Sequence, residues 1–319
     1  METMRAVVAQ TPGGPDVLSL VELPVPAKTG SEFLIRVHAA GVNPIDVKTR
    51  AGKGPAALAA WPLVLGNDFS GTVVESPYDA HPIKVGDEVY GMTLVPRLAG
   101  TYAEYVAVPA LFVAKKPRNL SHPEAAGVPL AALTAWGAVV DVAKAHDGQR
   151  ILIHAGAGGV GHFAIQFAAF FGAHVIATGG PRNLGWLRDL GAREVVDYTS
   201  APFEERIAPV DIVIDLIGNV SADTGSRSLQ VLKPGGIVVN VPSGSWPTLV
   251  EEAKAVGVRA TEYRVSPDAT TLSVITRLIE SGDVRVYLDE VYDLAEAAAA
   301  HETLALGHTR GKLVLKVSD

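Results

Sequence analysis

The sequence predicts an α/β protein made of a doubly wound parallel sheet and a compact, mostly β domain. Three observations carry this. Residues 150–182 hold no acidic or basic side chain between their two terminal arginines; within them Gly156-Ala157-Gly158-Gly159-Val160-Gly161 is a full G-x-G-x-x-G; and strand and helix patterns alternate from there to about residue 264, whereas residues 4–116 read as strand and turn.

Taken in order, residues 5–9, 18–22, 33–40, 71–75, 88–91 and 102–108 are short apolar or alternating runs separated by Pro and Gly clusters, the pattern of a β domain or distorted barrel. At Ser121-His122-Pro123-Glu124 the text turns helical. A capping hydroxyl, a first-turn proline and a glutamate three residues on form a capping-box signature, so a domain boundary is placed at 122. Residues 124–145 read as helix interrupted near Gly127 and Pro129, then 151–155 as a buried strand, 160–171 as helix and 174–178 as a second strand.

In such a βαβ unit Gly156 allows the tight turn, Gly158 lets a pyrophosphate approach the backbone, Gly161 lets helix pack on strand, and the phosphates sit at the helix N-terminus. A membrane span is the competing reading of so long an uncharged stretch. The glycine cluster and His154, His162, Gln166 and His174 interrupt it, and strands of a parallel sheet are apolar on both faces. Beyond lie patterns at 183–190, 194–198, 210–217, 222–232, 237–242, 248–256 and 259–264, with Lys233-Pro234-Gly235-Gly236 read as a turn before a strand. A helix at 271–281 and a tail at 284–317, short strands with one Ala-rich helix, are expected to rejoin the first domain. The expected division is 1–122, 123–265 and 266–319.

Composition bounds the function. A chain of 319 residues with 48% hydrophobic content buries sizeable cores, and a formal net charge of -7 argues against nucleic acid as a partner. The absence of cysteine removes disulfides and thiolate metal ligands. Residues 4–10 read as a strand with no signal-peptide pattern before them, so the expectation is a cytoplasmic protein with no membrane partner.

Several ordered motifs resemble those of one family: Ala39-Ala40-Gly41-Val42-Asn43-Pro44-Ile45-Asp46, Leu65-Gly66-Asn67-Asp68-Phe69-Ser70-Gly71, Val85-Gly86-Asp87-Glu88-Val89, Gly100-Thr101-Tyr102-Ala103-Glu104-Tyr105, Leu130-Ala131-Ala132-Leu133-Thr134-Ala135-Trp136, the glycine motif, and Arg310-Gly311-Lys312-Leu313-Val314-Leu315. Across essentially the whole chain the sequence resembles the zinc-independent quinone oxidoreductase (zeta-crystallin-like) branch of the medium-chain dehydrogenase/reductase superfamily. The resemblance implies a GroES-like catalytic domain, a Rossmann domain, a substrate cleft between them, and a homodimer formed through the Rossmann sheet's edge. Zinc-dependent relatives hold the metal with a Cys, a His and a second Cys or Asp. The matching positions here are Asn43, Asn67 and roughly Leu130, a poor zinc set, and the cysteine-rich structural-zinc loop is missing.

Zinc stabilises the oxygen charge that develops when hydride adds to a carbonyl. A quinone or an α,β-unsaturated carbonyl needs it less, because hydride on the conjugated carbon spreads charge into an enolate that hydrogen-bond donors can hold. The expected activity is therefore NADPH-dependent reduction of quinones or enones without zinc. The other readings are a non-catalytic NADPH-binding or sensing protein and a zinc-type alcohol dehydrogenase.

Asn43, Asp46 and Lys48 are the catalytic candidates, read as sharing one loop after the strand that ends near Ala40. Asn43 would donate to a substrate oxygen or ribose hydroxyl and Lys48 would supply positive charge to the enolate, although many relatives carry Tyr at the latter position. The alternative is that Asn43 and Asp46 fix the loop while Lys48 is solvated. Asp68 reads as a structural anion, and Tyr102, Trp61 and Arg97 as weak candidates for the substrate pocket. His154 reads as a packed strand residue, and His301 and His308 as unrelated to metal.

The cofactor set is Gly156, Gly158, Gly159, Val160 and Gly161, with Thr134 and Lys312 added by the resemblance. An NAD enzyme ends its second strand with an acid that binds the ribose 2′-hydroxyl. Here Thr178-Gly179-Gly180-Pro181-Arg182-Asn183 has none, and Arg182 suits a 2′-phosphate, as Tyr198 of Asp197-Tyr198 does by resemblance. NADPH is the expected cofactor.

Overall fold

The computed structural model describes residues 2–54, 60–94 and 100–318. It divides into two compact units, Met1–Leu133 with Ser266–Asp319, and Thr134–Val265.

The first unit opens with strands β1 (Thr3–Ala9), β2 (Leu18–Pro24) and β3 (Glu32–Val42), helix α1 (Pro44–Arg50), and strands β4 (Leu63–Val64), β5 (Asp68–Glu75), β6 (Glu88–Met92), β7 (Tyr105–Pro109) and β8 (Val113–Lys115). In β3 the two-residue period is plain: Phe33, Ile35 and Val37 are fully buried in one core while Arg36 is exposed. The loop expected at Asn43 is instead the start of α1. Pro44 supplies the fixed φ of a first helical residue, and the Asp46 carboxylate accepts from the Asn43 amide at 2.9 Å.

Helix α2 (His122–Ala126) begins at the capping box read from the sequence, with Ser121 and Glu124 bonding each other's backbone. It packs on β3 and β5, which is why the division falls after Leu133 rather than at 122. Helix α3 (Pro129–Trp136) runs into a π-helical turn, Gly137–Val142, where a side chain on Gly137 would collide with the Tyr263 ring.

The second unit alternates β9 (Arg150–Ile153), α4 (Gly161–Phe170), β10 (His174–Gly179), α5 (Leu184–Asp189), β11 (Glu194–Asp197), β12 (Val210–Asp215), α6 (Thr224–Ser228), β13 (Leu232–Asn240), α7 (Leu249–Ala255) and β14 (Arg259–Glu262). All six strands are parallel in the order β11-β10-β9-β12-β13-β14, a doubly wound sheet. The Lys233-Pro234-Gly235-Gly236 turn lies within β13 as an irregularity, the partner of β12 skipping from Leu232 to Ile237. Helix α4 is buried from Gly161 to Ala168, as a helix covered by sheet and neighbours must be.

The tail adds α8 (Ala269–Glu280), β15 (Leu288–Asp293), α9 (Ala297–Ala305) and β16 (Lys312–Lys316). β16 pairs antiparallel with β3, so the last strand enters the sheet of the first unit in the order β15-β16-β3-β5-β6-β8, with β7 also on β3. A second sheet is β2-β1-β4. Among the described residues no helix is long and apolar enough to cross a membrane.

Candidate active site

In the second unit β9 lies between β10 and β12, the point where strand order reverses. Ligands of such sheets bind outside the carboxyl ends of the strands at this point. The glycine motif leaves β9 there. A Cβ on Gly161 would stand 2.3 Å from the Ala155 carbonyl oxygen and 2.8 Å from the Gly156 backbone, so helix and strand meet backbone to backbone only because no side chain intervenes. Gly158 is more open, with the nearest atom to such a Cβ at 3.3 Å. Gly156 lies in the turn without a positive φ, and a Cβ there would crowd Ile165, Ala177 and Leu187 at 3.0–3.1 Å. The positive φ belongs to Ala155, at 48°, beyond the end of a strand expected to include it.

Around this turn the polar groups are largely spoken for. The Thr178 hydroxyl lies 3.2 Å from His154 Nδ1, and His154 Nε2 lies 2.9 Å from Ser228 Oγ. His154 is buried edge-on to Phe203, and burial, with Arg227 nearby, pushes it down to about 3, so the ring is neutral. Gly179 packs under Leu187, and Arg182 is exposed on the following turn. A Cβ on Gly180 would lie 3.6 Å from the Tyr198 hydroxyl, so the loops after β10 and β11 meet. Thr134 is buried on α3. Asp215, which the sequence reading passed over, caps the end of β12: one carboxylate oxygen accepts from the Ile217 and Gly218 amides at 2.9 and 2.8 Å. Asp215 followed three residues later by Gly218 is the signal the sequence carries.

In the first unit the candidate residues fall into one buried network. Asn43 is 1% exposed. Its Nδ2 donates to Asp68 at 2.8 Å and more weakly to the Gly41 carbonyl at 3.5 Å, while its Oδ1 accepts from Lys312 Nζ at 2.5 Å. The amide expected to reach a substrate is therefore engaged within the unit. Lys312, expected at the cofactor, is 3% exposed and also donates to the Val42 carbonyl at 2.9 Å. The other Asp68 oxygen accepts from the Leu130 amide at 2.8 Å. Burial pushes Asp68 up and Lys312 down, and the charge of each opposes the shift of the other.

Asp46 is likewise buried and accepts from the Tyr102 hydroxyl at 3.3 Å as well as from the Asn43 amide. Burial raises it to about 7, against those two bonds and Lys312. Tyr102 is a core residue rather than a pocket lining, and Trp61 packs against the same core. Lys48, on α1, is exposed, as is His308. Arg97 lies outside the described residues. Sequence reading did not connect Tyr102, His301 and Arg50 to this network, because the residues that meet are far apart in the chain.

The positions that the resemblance matches to zinc ligands make other contacts. Asn43 and the Leu130 amide both turn to Asp68, and the Asn67 amide donates to Thr93 Oγ1 at 3.0 Å. Among the described residues no three His, Cys, Asp or Glu side chains are grouped to hold a metal ion.

Comparison with known proteins agrees with this architecture. Residues 29–118 match the alcohol dehydrogenase GroES-like domain and residues 190–315 the zinc-binding dehydrogenase family. The quinone oxidoreductase of Coxiella burnetii superposes with a TM-score of 0.94 at 40% identity, covering 99% of this chain and 100% of that one. The mitochondrial NAD(P)H oxidoreductase RTN4IP1 of Danio rerio is 33% identical over 91% of this chain and 84% of its own length. The chloroplastic NADPH-dependent alkenal/one oxidoreductase of Arabidopsis thaliana is 34% identical over 98% and 79%. A Rossmann-type unit joined to a GroES-like unit defines an oxidoreductase of the medium-chain class. The chain belongs to the medium-chain dehydrogenase/reductase superfamily, among its quinone oxidoreductase and alkenal/enone reductase relatives.

Proposed function

We propose that the protein reduces quinones or α,β-unsaturated carbonyl compounds with NADPH and without zinc. The observation that carries the cofactor choice is the acid-free loop after β10, where Gly180 stands beside the Tyr198 hydroxyl and Arg182 follows. In this reading Gly156, Gly158, Gly159, Val160 and Gly161 receive the pyrophosphate, Arg182 and Tyr198 face the 2′-phosphate, and Thr178, Gly179 and Thr134 line the rest of the nucleotide. NADPH, when bound, supplies hydride.

For the substrate, the reading draws on the donor set. Asn43, Asn67 and Leu130 offer no Lewis acid, so an electrophile that delocalises its own negative charge suits the site better than a simple alcohol or ketone. Lys48, exposed on α1, supplies positive charge to the developing enolate. Asn43, Asp46 and Lys312 hold the turn that leads into α1. A homodimer through an edge of the Rossmann sheet and a cytoplasmic location belong to the same reading.

The test is NADPH oxidation against a panel of quinones and enones, run beside alcohol oxidation with NADP⁺ and added zinc. Turnover of the conjugated electrophiles is expected. NADPH binding with no turnover of any of them would favour a sensing role, and zinc-dependent alcohol oxidation would overturn the proposal.

A further inference from the structure

Asp46 and Arg50 stand four residues apart on α1 and are bridged by two other side chains. Arg50 reaches His301 Nδ1 at 3.2 Å, His301 Nε2 meets the Tyr102 hydroxyl at 3.2 Å, and that hydroxyl meets Asp46 Oδ2 at 3.3 Å. His301 and Tyr102 are fully buried, and Arg50 is 6% exposed.

The direction of every bond can be deduced. A guanidinium only donates, so His301 Nδ1 must accept. Burial and the neighbouring Arg50 charge push His301 down to about 3, so the ring is neutral and its one proton sits on Nε2. Nε2–H then donates to the Tyr102 oxygen, which leaves the Tyr102 hydrogen for Asp46. Four side chains form a closed loop on α1 in which each donor points toward the carboxylate.

We propose that Tyr102 and His301 are positioning residues, a one-way donor chain that ties Arg50 to Asp46 and so locks the Asn43 turn and helix α1 in the geometry the reaction uses. The functional half rests on the reductase reading above, through Lys48 on the same helix. The surroundings suit the assignment. Asp46 also faces Asp68 and Lys312, and Arg50 also faces Asp16 and Glu302. The two buried acids, Asp46 and Asp68, share the unit's interior with the cations Arg50 and Lys312. The carboxylate is raised to about 7, so the loss of one donor is enough to change its protonation near neutral pH.

The test compares His301→Leu, His301→Gln, Tyr102→Phe and Asp46→Asn in the full chain, using 1,4-benzoquinone with NADPH and, separately, urea unfolding from pH 5 to 9. A glutamine carboxamide can accept from Arg50 and donate to Tyr102, so His301→Gln should restore the behaviour that His301→Leu loses. His301→Leu and Tyr102→Phe are expected to lower kcat about tenfold with little change in KM for NADPH, and Tyr102→Phe, which removes a donor from Asp46, to move the acidic limb of the kcat profile up by about one pH unit. Asp46→Asn should remove that limb. If His301→Gln behaves like His301→Leu, or if Tyr102→Phe leaves both the kcat and the unfolding profiles in place, the chain is not a relay. Should the wild type turn over no quinone, the reductase reading fails, while the unfolding profiles still decide whether Asp46 is held by the chain.

Discussion

The glycine turn of the second unit and the polar network of the first are both buried centres, and they are built from opposite materials. At the turn the essential property is missing atoms: the Cβ that Gly161 lacks would sit 2.3 Å from a carbonyl oxygen. In the network Asn43, Lys312 and Asp46 are each held by neighbouring polar groups. Space is specified by a few consecutive residues. A hydrogen-bonded network is specified by residues on four or five elements, so the two centres should fail differently when altered.

The largest effect is expected at the turn. Gly161→Val puts a branched side chain against backbone that has no room to yield, and should cost about 3 kcal/mol or more in unfolding experiments. Gly158→Ala meets nothing closer than 3.3 Å and should leave the melting temperature nearly unchanged while weakening NADPH by about tenfold. Equal losses of stability from the two would break the distinction between packing and binding glycines.

Next comes Lys312→Met. It removes the cation that faces Asp46 and Asp68, and stranding buried charge costs roughly 3–5 kcal/mol. Adding Asp68→Asn should recover part of that loss in a urea titration. Without any recovery, the coupling inferred between Lys312 and Asp68 would be wrong.

The pH dependence of stability sharpens the comparison, because each centre has a buried neutral histidine. His154 and His301 are both depressed to about 3 from 6.5. Each therefore contributes stability that is present above pH 6.5 and is lost as pH falls toward 3, on the order of 5 kcal/mol for a fall from 6.5 to about 3. Asp46 acts the other way. Its folded value of about 7 lies above its ordinary 3.8, so its contribution is full below pH 3.8 and declines as pH rises through 7. Asp46→Asn should remove the decline between pH 3.8 and 7, so that the urea midpoint rises more steeply with pH across that range and is unchanged in slope above it.

The smallest effect is Arg182→Ala. This should weaken NADPH by about tenfold, the worth of one charge-assisted contact, while NADH binding stays the same. Equal losses for both dinucleotides would move Arg182 away from the 2′-phosphate.

The same division explains what was legible. The glycine motif, its flanking strands and the capping box at Ser121 are local patterns, and they appear in the structure within a few residues of where the sequence suggests. Helix α1 was also local, since Asn43-Pro44-Ile45-Asp46 is itself a helix-start signature, but its family motif drew attention to chemistry rather than to capping. The pairings of Arg50 with His301 and of Asn43 with Lys312 span 251 and 269 residues. No periodicity or spacing encodes such contacts. One matched position suggests Asp68 as a structural anion, while its two donors, Asn43 and the Leu130 amide, meet it only in three dimensions.

The tail's position in the sheet also has a consequence for synthesis. Lys312 arrives on β16 and His301 on α9, and the whole of residues 134–265 emerges between these elements and the aspartates they serve. On the ribosome, Asp46 and Asp68 must wait in an incomplete sheet until β16 is made, because the lysine that faces them lies on that strand. The charge balance of the first unit thus comes late in its assembly, and a chain released before residue 312 would carry two carboxylates without Lys312 to face them.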